Sequence, residues 1–354
     1  MSASAPARRN RRIVLAKRPE GAPQTDDFRL EEAPLPEPRE GQVLLRTLFL
    51  SLDPYMRGRM NAGRSYAKPV EVGAVMEGGT VAEVVASEAA ELQPGDLVLA
   101  HGGWQAFSLA RPEHLRRLDP DLAPPSTALG VLGMPGFTAY SGLKVIGKPR
   151  EGETLVVAAA TGPVGSAVGQ IARILGLRAV GIAGGERKCR ALTEEFGFDA
   201  AVDHRADDFP ERLRAACPDG VDIYFENVGG PVLEAVLPLL NDHARIPVCG
   251  LVSQYNASSP PPGPDRSPAL MGAILTRQLT VRGFIQTQFV DALQEPFLKE
   301  MGAWVREGRV RYREDIVDGL ENAPEAFIGM LGGANFGKQL VRVAEPMGTT
   351  RAAG

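Results

Sequence analysis

From Thr154 onward the chain alternates short apolar runs with helix-like stretches, and this alternation constrains the fold more than any other feature. TLVVAAA is followed by a helix over 163–175 and then by LRAVGIA. A helix over 186–196 leads to DAAVD, one over 207–216 to VDIYFEN, one over 231–240 to ARIPVCG at 244–250, and one over 267–278 to LTVRGFI. Strands that are apolar along their whole length are covered on both faces, so the six should form a parallel sheet. Helix-covered parallel strands in that number make a doubly wound α/β domain. In the first helix Val164, Val168, Ile171, Ala172 and Leu175 share one face, and Gly176 supplies the stop.

The turn that opens this helix reads Ala160-Thr161-Gly162-Pro163-Val164-Gly165, an A-x-G-x-x-G form of the dinucleotide fingerprint. Gly162 lets the backbone approach a pyrophosphate, and Gly165 lets the helix pack closely on its strand. The helix N-terminus offers unpaired amides and partial positive charge, and Pro163 suits a first helical position. An NAD enzyme places an acid at the end of the second strand for the ribose 2′-hydroxyl. Here Gly184 and Gly185 stand there, followed by Glu186, Arg187 and Lys188. Removing the acid and adding cations suits a 2′-phosphate, so the expected cofactor is NADPH/NADP+; Glu186 is the feature that speaks against it.

Before residue 120 the style differs. VLLRTLFLSL, TVAEVVA and DLVLA, punctuated by Gly and Pro, predict a β-rich domain. After a helix over 288–307, VRYREDIVDGL, a helix over 323–331 and GKQLVRV are expected to rejoin it. The predicted organisation is a flexible basic tail over 1–12, a β-rich catalytic domain over 13–133 and 316–354, and a cofactor domain over 134–315. Arg8, Arg9, Arg11 and Arg12 lack a following apolar stretch, so the tail is read as solvated rather than as an export signal.

A net charge of -4 gives no basic surface for nucleic acid or an anionic membrane, and no apolar run is long enough to span one. Three widely spaced cysteines, Cys189, Cys217 and Cys249, form no disulfide framework and fit a cytoplasmic protein. No Cys/His/acid set has metal-ligand spacing, so no metal is expected. Hydride transfer to a conjugated double bond needs none: it needs an oriented nicotinamide, donors for the enolate oxygen and a proton source. Of six tyrosines, Tyr55, Tyr66 and Tyr255 are the catalytic candidates; Tyr255 follows the strand at 244–250, at the sheet end where ligands bind.

SLDPYMRGRM, GMPGFTAYSGL, AAATGPVGSAVGQIA, GERK, ENVGG, CGLVSQYN, FIGMLGG and NFGK together resemble the zinc-independent medium-chain dehydrogenase/reductases. Within them the chain is similar to the prostaglandin reductase, leukotriene hydroxydehydrogenase and curcumin reductase-like group. The resemblance implies a GroES-like catalytic domain, a Rossmann domain with a six-stranded parallel sheet, and a homodimer built through the Rossmann domain. It implies NADPH-dependent reduction of the double bond of α,β-unsaturated ketones and aldehydes. It places Thr161, Gly162, Pro163, Val164 and Gly165 at the pyrophosphate and Gly185 and Lys188 at the 2′-phosphate. Asn227, Cys249, Gly250, Leu251, Ser253, Tyr255, Phe284, Ile285, Gln286 and Asn335 would line the nicotinamide and ribose path. Met134 and Thr138 would approach the nicotinamide, and Tyr55, Tyr66 and Tyr255 the substrate. His204 stands where the group commonly carries a tyrosine, with Arg205 beside it as a compensating cation; TQF at 287–289 departs from the vertebrate members, against eicosanoid substrates. Quinone reduction, or NADPH binding without catalysis as a redox sensor, are the alternatives.

Overall fold

The computed structural model describes residues 9–63, 65–259 and 264–347. They form two compact units.

Among the described residues, the first unit takes those up to 129, 314–335 and 339–347. Its main sheet orders the strands Glu314–Asp318, Lys338–Arg342, Val43–Ser51, Thr80–Ser87, Leu97–Ala100 and Arg116–Leu118, with Phe107–Ala110 also paired to Val43–Ser51. The C-terminal segment thus rejoins the N-terminal sheet, as the expected GroES-like domain requires. Trp104 and Phe327 are fully buried, and their rings pack edge-on at 5.6 Å, with Phe28 stacked on Trp104 at 5.5 Å. Aromatic geometry of this kind adds to the burial of the rings themselves.

The expected basic tail is corrected in part. Arg9–Leu15 is a strand paired antiparallel with Phe28–Pro34, while residues 1–8 lie outside the described residues. Two things hold it. Asn10 is buried, donating to the Phe107 carbonyl and accepting from the Phe107 amide, both at 2.9 Å. Arg9 and Arg12 meet Glu32 and Glu31 across the hairpin. What reads as a run of solvated cations is a strand in which Arg9 on one face and Arg12 on the other find counter-charges on the neighbouring strand.

The second unit takes residues 130–313 and 336–338. Its six-stranded sheet orders Ala200–Asp203, Arg178–Ala183, Thr154–Val157, Val221–Phe225, Leu240–Val248 and Thr280–Gly283, with its pairings parallel. This is the Rossmann order, and strand order reverses between Thr154–Val157 and Val221–Phe225. The pleat divides the core. Leu155, Val157, Ile223 and Phe225 face one helical layer; Val156, Val180, Ile182 and Tyr224 face the other. That two-sided burial is why the strands are apolar throughout.

One boundary differs from expectation. The helix read over 231–240 ends at Gly230–Val236, a 3-10 turn covers Leu237–Leu239, and the next strand starts at Leu240. Pro238 cannot donate to a continuing helix, and Arg277 donates to the Leu237 and Pro238 carbonyls left over.

Candidate functional site

The glycine turn sits at the strand-order reversal, where open α/β sheets bind ligands. Thr154–Val157 ends, Ala159 takes a left-handed φ of 50°, and the helix Pro163–Ile174 starts with Gly162 as its cap. The Gly162 amide donates back to the Ala159 carbonyl at 3.0 Å. The two glycines do different work. A side chain on Gly165 would meet Ala159 O at 2.5 Å and Ala160 Cα at 2.7 Å; one on Gly162 would meet only Ala159 O, at 3.2 Å. Gly165 is therefore demanded by packing, whereas Gly162 leaves open backbone at the turn. The amides of Val164 and Gly165, in the first helical turn, have no intrahelical acceptor and are suited to a phosphate.

At the end of the second strand, Gly184 lies under the side chains that follow the third. A Cβ there would be 2.9 Å from both Arg205 Nε and His204 Nε2. Asp203 ties the corner together, accepting at 2.9 Å from the amides of Gly185 and Arg205. Desolvation pushes the Asp203 carboxyl up, but those two amides, with His204 and Arg205, hold it below its usual value. Burial, then the Arg205 charge and more weakly that of Lys188, pushes His204 down, so the imidazole is neutral at pH 7. His204 and Arg205 thus meet over a glycine, with the Lys188 charge felt at His204. Glu186 is turned away along its helix: its side chain is 89% exposed, with Arg190 its ion-pair partner at 3.9 Å. Arg187 lies over the Phe336 ring, as does Arg313.

Across the reversal, the turn at 226–230 carries Asn227, whose Nδ2 donates to the Ala158 carbonyl at 2.8 Å. The loop bearing Cys249, Gly250, Leu251, Ser253 and Tyr255 is laid on this turn. Tyr255 is half-buried, with its hydroxyl 3.4 Å from the Leu251 amide. Desolvation, then the Glu226 charge, pushes the Cys249 thiol up to about 12, so it is no nucleophile at neutral pH. Phe284 packs its ring edge-on against Phe225 at 6.2 Å in the core, and Ile285 and Gln286 follow it. Met134 and Thr138 lie on the helix Met134–Gly142, and Thr138 donates to the Met134 carbonyl at 2.8 Å.

In the first unit, Tyr55 opens the short helix Tyr55–Arg59. The Arg59 guanidinium lies 4.5 Å from the centre of the Tyr66 ring and 5.5 Å from that of Tyr55, and is paired with Glu77. The structure thus gathers two of the three candidate tyrosines around one cation. Burial first, then the charges of Asp53 and Glu77, pushes the Tyr55 phenol well above its usual value. Tyr66 is exposed. Asn335 belongs to this unit too.

The roles of Asp203, Glu226 and Arg59 are not legible from the motifs that contain them. Asp203 closes one strand and Glu226 directly follows another, each just before residues it organises, and that position is the signal for them. Among the described residues no group of three or more His, Cys, Asp or Glu side chains is placed to hold a metal ion. No described helix is long and apolar enough to cross a membrane.

Two family models match. Residues 11–118 match the N-terminal domain of oxidoreductase, and residues 163–303 match a model described as zinc-binding dehydrogenase. The donor set above does not fit the metal in that second description. The chain is 59% identical over 336 residues to the NADPH-dependent curcumin reductase of Escherichia coli, covering 95% of this chain and 97% of the relative. It is 43% identical over 334 residues to prostaglandin reductase 1 of Rattus norvegicus, covering 93% and 98%. The crystal structure of CurA from Vibrio vulnificus in complex with NADPH superposes with a TM-score of 0.92 at 53% identity, covering 95% of this chain and 100% of that one.

Proposed function

The chain belongs to the zinc-independent medium-chain dehydrogenase/reductases, in the group of the curcumin and prostaglandin reductases, and we propose that it reduces the carbon–carbon double bond of α,β-unsaturated ketones and aldehydes with NADPH. The observation that carries the cofactor assignment is the placement of His204 and Arg205 over Gly184, with the Lys188 charge felt at His204, where an NAD enzyme would hold an acid. The similarity to CurA, whose structure is in complex with NADPH, supports the same reading. Lys188 and Arg205 are assigned to the 2′-phosphate. Thr161, Gly162, Pro163, Val164 and Gly165 take the pyrophosphate. Asn227, the loop at 249–255, residues 284–286 and Asn335 line the nicotinamide and ribose, with Met134 and Thr138 beside the ring.

Bound NADPH supplies a hydride from nicotinamide C4 to the β-carbon of the substrate. The protein's part is to orient that carbon and to place donors where charge develops on the carbonyl oxygen. Tyr55 is assigned as a donor on its hydroxyl and its place beside Tyr66 at Arg59. Tyr255 is assigned to orienting the carbonyl or relaying a proton to the α-carbon, and Tyr66 to bordering the substrate. Quinones remain the alternative acceptor.

We further assign a cytoplasmic homodimer built through the Rossmann sheet. Its edge strand Thr280–Gly283 is exposed along its length, and Met271 and Leu275 on the helix before it are 61% and 78% exposed. An uncovered strand edge beside exposed apolar side chains invites pairing with a second copy.

The test is oxidation of NADPH, and separately NADH, by a panel of enones, enals and quinones with product analysis. Saturated carbonyl products with NADPH support the reading. Turnover of quinones alone, or NADPH binding with no turnover, overturns it.

A further inference from the structure

The loop at 249–255 is held by the turn before it in an unusual way. Three successive carbonyls of that turn accept its amides: Glu226 O from Cys249 at 2.9 Å and Gly250 at 3.2 Å, Asn227 O from Val252 at 3.1 Å, and Val228 O from Ser253 at 3.1 Å. Ser253 Oγ also donates to Val228 O at 2.5 Å. These carbonyls can serve as a template only if the turn itself has one shape. Gly229 and Gly230 both have positive φ, so the backbone there has little conformational preference of its own.

The Glu226 carboxyl supplies the constraint. Its Oε1 accepts from the Val228 amide at 2.7 Å, the Gly229 amide at 2.8 Å and the Tyr224 hydroxyl at 3.0 Å. Glu226 is 1% exposed, and its Oε2 has no hydrogen-bond partner among the described residues. One oxygen taking three donors, from the turn and from the strand before it, fixes the carboxyl in a single place. Desolvation pushes this carboxyl above its usual value, while the amides of Gly229, Val228 and Asn227 and the Tyr224 hydroxyl pull it back down.

We propose that Glu226 is a positioning residue: one buried oxygen locks the turn at 226–229, and the turn in register seats both Asn227 and the loop that carries Tyr255. The proposal deepens the assignment of that loop to the nicotinamide and rests on it for the effect on catalysis. The geometric part stands alone.

The two parts are tested separately on the full-length protein. Amide hydrogen exchange on the cofactor-free protein reads the geometry. Glu226→Ala should speed exchange at Cys249, Gly250, Val252 and Ser253 by about tenfold or more, while Glu226→Gln, which keeps a carbonyl acceptor, stays within about threefold of wild type. Tyr224→Phe leaves both amide bonds intact and should behave as wild type. Should Glu226→Ala not fold, Glu226→Asp, which draws the oxygen back by one methylene, gives the same reading. The second readout is NADPH affinity and enone turnover. Glu226→Ala should raise the Kd for NADPH and lower kcat, each about tenfold, with both restored in Glu226→Gln. Wild-type exchange in Glu226→Ala, or a Gln variant as impaired as the Ala variant, overturns the proposal. Wild-type protein that fails to bind NADPH would instead overturn the cofactor assignment and leave the exchange result standing.

Discussion

A methyl group on Gly165 would lie 2.5 Å from the carbonyl oxygen of Ala159, whereas the same addition to Gly162 clears that atom by 3.2 Å. The first distance is never tolerated without backbone movement; the second asks for a few tenths of an ångström. Gly165→Ala should therefore lower stability by about 2 kcal/mol, read by denaturant unfolding, and weaken NADPH binding with it. Gly162→Ala should stay within about 1 kcal/mol of wild type yet still lose affinity, because the methyl stands where the pyrophosphate would approach. Equal stability losses in the two would contradict the division of labour between them.

Lys188 and Arg205 are assigned to one phosphate. Lys188→Ala should raise KM for NADPH by about tenfold or more, the worth of a charge-assisted contact, and leave that for NADH nearly unchanged. Steady-state kinetics with both nucleotides check it. An unchanged ratio would place the phosphate elsewhere.

Asp203 is held below its usual carboxylate value in the folded protein. Its stabilising contribution is therefore fully present above the unfolded value near pH 4 and is lost as the pH falls through the lower folded value. The stability gap between wild type and Asp203→Asn should be widest near neutrality and close as the pH drops below about 4. Thermal unfolding across that range measures it; a gap that widens in acid has the wrong sign.

Tyr255 lies on the seated loop with its hydroxyl at the Leu251 amide. Tyr255→Phe should lower kcat/KM for enones by about 10- to 100-fold with little change in NADPH affinity, as expected for a lost proton donor or carbonyl contact. A rate unchanged across several enones would remove Tyr255 from the chemistry.

The parallel sheet was legible because burial on two faces leaves an unmistakable composition, and the glycine turn because close packing admits no alternative at Gly165. The strand Arg9–Leu15 was not. Its pattern depends on Glu31, Glu32 and Phe107, partners that no local window contains. The helix end at Val236 was misplaced for a related reason: the Arg277 side chain that caps the carbonyls of Leu237 and Pro238 comes from forty residues on. Gly184 with Lys188 and Arg205 could be read as a phosphate corner from residue types alone. The role of Glu226 could not, since an acid before NVGG looks the same whether it faces water or is buried against three donors.

The destination of the hydride decides whether this chain acts on the double bond or on the carbonyl. The most direct measurement is turnover of a simple enone with NADPH deuterated at C4, with the product mapped by NMR. The expected product is a saturated ketone carrying deuterium on the β-carbon and a solvent-derived proton on the α-carbon. Deuterium on the carbonyl carbon of an allylic alcohol, with the double bond intact, would contradict it.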